Sequence, residues 1–91
     1  MIESILCLST AHITKETAKT LEHPEDIDYA LVKGMDDYGW IICSEYYDVD
    51  DMMPEDLKLV LDYASQLGCR FVNLDAGEDI VPELPTYEWG N

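Results

Sequence analysis

Two groups of side chains in this chain have types and spacings that could do chemistry. The first is Ser9-Thr10-Ala11-His12, which follows the apolar run Ile5-Leu6-Cys7-Leu8 and precedes Thr14. An imidazole, two hydroxyls and a nearby thiol, placed where a strand exits toward a helix start, could expose a nucleophile or hold an anion. Asp75 would supply the carboxylate that orients the imidazole in a triad. Two points weigh against that reading. No glycine elbow surrounds Ser9, and in an antiparallel sheet the exit of the first strand would face Arg70, with Asp75 at the far end. Ser9, Thr10 and His12 are therefore read as a ligand or partner turn, beside the plainer reading of a satisfied turn histidine. No catalytic residue is assigned.

The second group is acidic. Glu45, Tyr46, Tyr47, Asp48, Asp50, Asp51, Glu55 and Asp56 fall within a dozen positions, and Asp62 continues the strip with Lys58 as its one interruption. A calcium loop counted from Asp48 fails, because its sixth position is Met53 where glycine is needed and its twelfth is Leu59 where a bidentate glutamate is needed. A solvated acidic surface that meets a protein partner is the better reading, with Tyr46 and Tyr47 as anchors of large contact area and low entropy cost. A second strip lies at Glu22, Glu25, Asp26 and Asp28, with His23 beside it as a surface turn residue. The three cysteines, Cys7, Cys43 and Cys69, form no C-x-x-C pair and sit in or beside apolar runs, so buried free thiols are expected, with no metal and no cofactor.

Charge narrows the partner. Twenty carboxylates stand against five bases, a formal net charge of −15. Direct nucleic-acid binding draws on lysine and arginine to release counterions, and anionic membranes make the same demand, so both are disfavoured. No apolar run approaches the ~18 residues of a membrane span. Met1-Ile2-Glu3 has no basic n-region, so no signal peptide is expected and the cytoplasm is the expected location. Apolar residues make up 47% of the chain, too many for a disordered acidic tail.

The elements that must position these groups can be read from periodicity. Ile5–Leu8 has the continuous apolar character of a strand buried on both faces. Thr14 reads as a helix N-cap with Glu16 in the first turn, and Pro24 ends that helix. The runs 29–33 and 40–43 flank a glycine-bounded polar loop and read as a hairpin. Pro54 opens a second helix whose Leu57, Val60, Leu61, Ala64 and Leu67 recur at helical spacing, with Gly68 as its C′ residue. Phe71–Leu74 makes the last strand. Gly77, Pro82, Pro85 and Gly90 keep the tail extended. The order β-α-β-β-α-β predicts an α+β, ferredoxin-like domain over 1–91, with an antiparallel four-stranded sheet, two helices on one face and an extended tail over about 76–91. Right-handed crossovers would put the first and third strands in the centre. The other sheet face then needs a cover, from the tail residues Leu84, Tyr87 and Trp89 or from a second copy in a homodimer.

Leu8-Ser9-Thr10-Ala11-His12-Ile13-Thr14, with Thr17-Ala18 and Leu21, then Tyr38-Gly39-Trp40, Pro54-Glu55-Asp56-Leu57 and Leu84-Pro85-Thr86-Tyr87-Glu88-Trp89, resembles a family of small acidic proteins carried by conjugative elements and phages of bacteria. The resemblance spans most of the chain and carries over no catalytic residue. It implies a setting in which short acidic proteins act as accessories that block a host defence.

Residues and resemblance together predict a non-enzymatic interaction module. It would inhibit a host nucleic-acid-binding defence protein, of anti-CRISPR or anti-restriction type, by presenting carboxylates to a basic surface, with DNA mimicry as one route. The alternative is a small-molecule-binding or regulatory domain acting as a dimer, an inference from fold analogy.

Overall fold

The computed structural model describes residues 4–27, 30–34, 39–47 and 53–89, with the backbone alone at 30, 31 and 45–47. Its elements, in chain order, are β1 (Ile5–Leu8), a 3-10 turn (Thr10–His12), α1 (Lys15–Leu21), a second 3-10 turn (Pro24–Asp26), β2 (Ala30–Gly34), β3 (Gly39–Tyr47), α2 (Glu55–Gln66) and β4 (Phe71–Asp75). Each helix forms where its sequence signals stand. The Thr14 hydroxyl accepts the Thr17 N–H at the start of α1, and Pro24 opens the 3-10 turn that follows its end. α2 closes with Gly68 at φ +78, where the Gly68 N–H donates to the Ser65 carbonyl and the Cys69 N–H to the Ala64 carbonyl. Those two bonds make a Schellman motif, and they satisfy carbonyls that the helix end would otherwise leave open.

The four strands form one mixed sheet in the order β1-β4-β3-β2. β2 and β3 pair antiparallel, as do β3 and β4, but β1 runs parallel to β4 with Leu6 opposite Val72 and Leu8 opposite Leu74. The expectation of an antiparallel ferredoxin-like sheet with β1 in the centre is corrected here. β3 is central as expected, and its companion is β4, while β1 lies at an edge. The path of α2 gives the reason. It begins beside the turn after β1, where Asp56 bonds Thr14, and ends beside the start of β4, where the Arg70 carbonyl accepts the Ser44 N–H. The chain thus enters β4 from the end of the sheet toward which β3 runs, which makes the two antiparallel neighbours.

Alternation then sorts the side chains. Leu6, Leu8, Ile42, Val72 and Leu74 point to the side that α1 and α2 cover, where they meet Ala18, Leu21, Leu57, Val60, Leu61 and Ala64 in one core. Leu84 from the tail joins that same core. The tail therefore packs, but on the helix side, and the expectation that it covers the other sheet face does not hold. On that other face lie Ile5 and Cys7 of β1, Lys33 of β2, Ile41 and Cys43 of β3, and Phe71 and Asn73 of β4. The cysteines are free; Cys43 is buried as expected, Cys69 is half-buried, and Cys7 is exposed because β1 is an edge strand.

Candidate functional site

The turn after β1 is built by short-range bonds and then clasped by the tail. Ser9 caps it, its hydroxyl accepting the Ala11 N–H at 3.1 Å. His12 is 1% exposed, and both ring nitrogens are in use. Nδ1 lies 2.9 Å from the Pro85 carbonyl, which can only accept, and Nε2 lies 3.0 Å from the Val81 N–H, which can only donate. Those partners fix the neutral tautomer with the proton on Nδ1. Further along, the Tyr87 N–H donates to the Ala11 carbonyl and the Trp89 indole N–H donates to the Ile13 carbonyl at 2.9 Å. The tail is thus bonded to the turn at both ends of its Leu84–Trp89 stretch.

The parallel pairing of β1 with β4 brings Asp75 to the same end of the sheet as the Ser9–His12 turn, contrary to the antiparallel expectation. It does not make a triad. The Asp75 carboxylate accepts the Gly77 N–H at 2.8 Å, and the imidazole has no ring nitrogen left for a nucleophile. Ser9, Thr10 and Ala11 line an open, shallow cleft of about 280 Å³ with Ala76, Tyr87 and Trp89. Ser9 and Thr10 therefore reach a surface hollow while His12 stays behind it as a structural clasp.

The acidic strip divides in the same way. Glu55 and Asp56 are neighbours in the first turn of α2, where the helix dipole favours carboxylates. Glu55 is exposed. Asp56 is 7% exposed, and its carboxylate accepts the Thr14 N–H at 2.7 Å and the Thr17 hydroxyl at 2.9 Å. One carboxylate thereby joins the N-terminal ends of both helices, and its reading as a partner-facing charge is corrected. Asp62 pairs with Lys58 at 2.8 Å, one turn away on α2. Lys58 is held above its ordinary range by the hydrogen bond that it donates to Asp62 and by that carboxylate's charge. Glu45, Tyr46 and Tyr47 belong to the last residues of β3, with their side chains outside the described set, and Asp48, Asp50 and Asp51 lie outside the described residues.

Near the second strip, His23, Glu25 and Asp26 bring one ring nitrogen and two carboxylates close together on the exposed 3-10 turn, with His23 Nδ1 3.5 Å from Glu25. Two elements of the site escape sequence reasoning. The Asp56 bridge joins positions 39 and 42 residues apart, and the His12 contacts reach 69 and 73 residues along the chain. The only sequence signal for the clasp is the concentration of large apolar residues in the tail.

No curated protein and no solved structure matches this chain. A family match covers residues 5–89, nearly the whole of it and all of the turn, bridge and tail just described. The chain belongs to the family described as "Family of unknown function (DUF5983) C-terminal domain".

Proposed function

We infer that this protein is a non-enzymatic interaction module whose carboxylates engage a basic surface on a host nucleic-acid-binding protein, blocking it as a mobile-element or phage accessory would. The observation that carries this reading is the net charge of −15, joined to the exposure of most carboxylates among the described residues. Asp56 is the buried carboxylate among the described residues, while Glu16, Glu22, Glu25, Asp26, Glu55 and others stay at the surface. B-DNA carries one charge per ~1.7 Å of axis, so a protein that competes for a DNA-binding surface must offer its carboxylates densely. The stretch Glu45 to Glu55, with Asp56 left out, carries five carboxylates in eleven positions, and Glu22 to Asp28 carries four in seven. The competing reading, a small-molecule domain, calls for an enclosed pocket by His12. The cleft there is open and the imidazole is committed to the tail, which favours the interaction reading.

The test is competition. A host protein captured by this one at low salt should bind duplex DNA, and added duplex should displace it from the acidic protein. Capture of proteins that neither bind DNA nor leave on adding salt would refute the proposal.

A further inference from the structure

The cleft beside the turn after β1 draws its lining from two parts of the chain. Ser9, Thr10 and Ala11 come from the turn, and Ala76, Tyr87 and Trp89 from the segment after β4. Both aromatics are fastened to the turn. The Trp89 indole N–H donates to the Ile13 carbonyl, and the Tyr87 main-chain N–H donates to the Ala11 carbonyl. Both are only half-buried, so ring surface meets the hollow. Rings already held by the fold lose little further freedom when a guest arrives. Charge around the cleft is of one sign. Glu88 stands between Tyr87 and Trp89 and is exposed. Asp75 precedes Ala76, and its carboxylate accepts the Gly77 N–H just beyond it. Exposed Asp79 is tied by its carbonyl to the Ser9 N–H at 3.0 Å. None of the five lysines and arginines of the chain lines the cleft.

We propose that this cleft seats an arginine side chain of the partner protein against Tyr87 and Trp89. The proposal rests on the basic-partner reading above and names the anchor that such a partner would use. Chemistry selects the guest. Carboxylates on both flanks repel an anion, a phosphate included, and attract a cation. The aromatic quadrupole draws positive charge toward the ring faces as well. The Ser9 and Thr10 hydroxyls supply acceptors for its N–H groups. A guanidinium suits these partners better than an ammonium, because it is flat, weakly hydrated and carries five donors in its plane. Position agrees with charge. Trp89 is bonded to Ile13, and the next residue, Thr14, is bonded to Asp56 beside exposed Glu55. The cleft and the start of α2 thus meet at adjacent residues of one loop. A basic surface steered to the carboxylates of α2 can place one arginine in the cleft as its desolvated anchor.

Titration of the full chain with short peptides, followed by its amide and indole N–H resonances, tests this directly. The probes are acetyl-Gly-Arg-Gly-amide, its lysine counterpart, and its citrulline counterpart, which keeps the shape of arginine without the charge. The arginine peptide should shift the Thr10, Tyr87 and Trp89 signals saturably, and less so as salt is added. It should bind about threefold or more tighter than the lysine peptide and about tenfold tighter than the citrulline one. Tyr87→Leu keeps the main-chain bond to Ala11 and should weaken arginine binding about two- to fivefold. Equal binding of arginine and citrulline would overturn the proposal, as would lysine bound as tightly as arginine, or shifts that miss the cleft. Capture from a bacterial lysate separates this proposal from the reading beneath it. A basic protein retained equally by the wild-type chain and by folded Tyr87→Leu/Glu88→Lys overturns the cleft as its anchor and leaves the basic-partner reading standing. A wild-type chain that retains no basic protein overturns that reading.

Discussion

At the scale of single residues, two buried polar side chains hold what the apolar core does not. His12 ties the tail to the turn through Pro85 and Val81, so His12→Ala leaves a cavity and two unpaired main-chain groups. A loss of roughly 2–4 kcal/mol is expected in denaturant unfolding, together with a red shift of Trp89 emission as its indole leaves the Ile13 carbonyl. An unchanged midpoint would show that the tail holds itself. Asp56 and Glu55 give a sharper comparison because they are adjacent and alike in charge. Asp56→Asn removes one acceptor from a buried pair of bonds and should cost about 1–3 kcal/mol, whereas Glu55→Gln loses only an exposed dipole contact of about 0.3–1 kcal/mol. Equal losses would contradict the bridge. Both residues stand in the first turn of a helix with the same local sequence context. Nothing local separates them, because what buries Asp56 is a threonine pair on another helix.

At the scale of elements, the sequence carried the helices and the hairpin, and it missed the sheet order. Thr14, Pro24 and Gly68 are local signals, and each does locally what its chemistry dictates. Strand order is a long-range choice. The run Ile5–Leu8 is apolar at every position, so its pattern cannot distinguish a strand buried on both faces from an edge strand left partly bare. The Tyr87 and Trp89 contacts were equally hidden, since a tail can reach any surface its length allows. Deleting 82–91 removes Leu84 from the core and the Tyr87 and Trp89 bonds from the turn, and should lower stability by several kcal/mol, about 2–3 of them from apolar burial. A full-length melting temperature in the truncated chain would contradict this packing. Glycine gives a second check on the elements. Gly39 has φ +140, and a Cβ there would overlap the Leu74 carbonyl oxygen, so Gly39→Ala should disrupt the β3–β4 pairing at a cost above about 3 kcal/mol. Gly68→Ala at φ +78 meets no atom and should cost about 1 kcal/mol. Alkaline titration probes the contact between α2 and the tail. Burial, with the Glu83 hydrogen bond and charge behind it, raises the Tyr63 phenol above its ordinary 10.0. Because the folded value is the higher one, this contribution is intact below pH 10 and is lost as pH climbs through the folded value; Tyr63→Phe should flatten that part of the melting profile.

At the scale of the whole molecule, acidity sets the behaviour. With net −15 the folded chain repels itself, and ions screen charges separated by more than about 10 Å at 0.1 M, so the melting temperature should rise between about 10 mM and about 500 mM salt. A salt-independent melt would mean that the carboxylates are already compensated. The same acidity is the basis of the functional proposal, and its most direct test is charge reversal on the strip with Asp56 left in place. Asp50→Lys, Asp51→Lys and Glu55→Lys together should leave circular dichroism unchanged, since Glu55 is exposed and the bridge to Thr14 and Thr17 is kept. Affinity capture from a bacterial lysate at low salt is the measurement. The account predicts that the wild-type protein retains a basic, DNA-binding protein that salt releases, and that the folded triple variant retains none of it. Equal capture by the folded variant would contradict the acidic-surface mechanism.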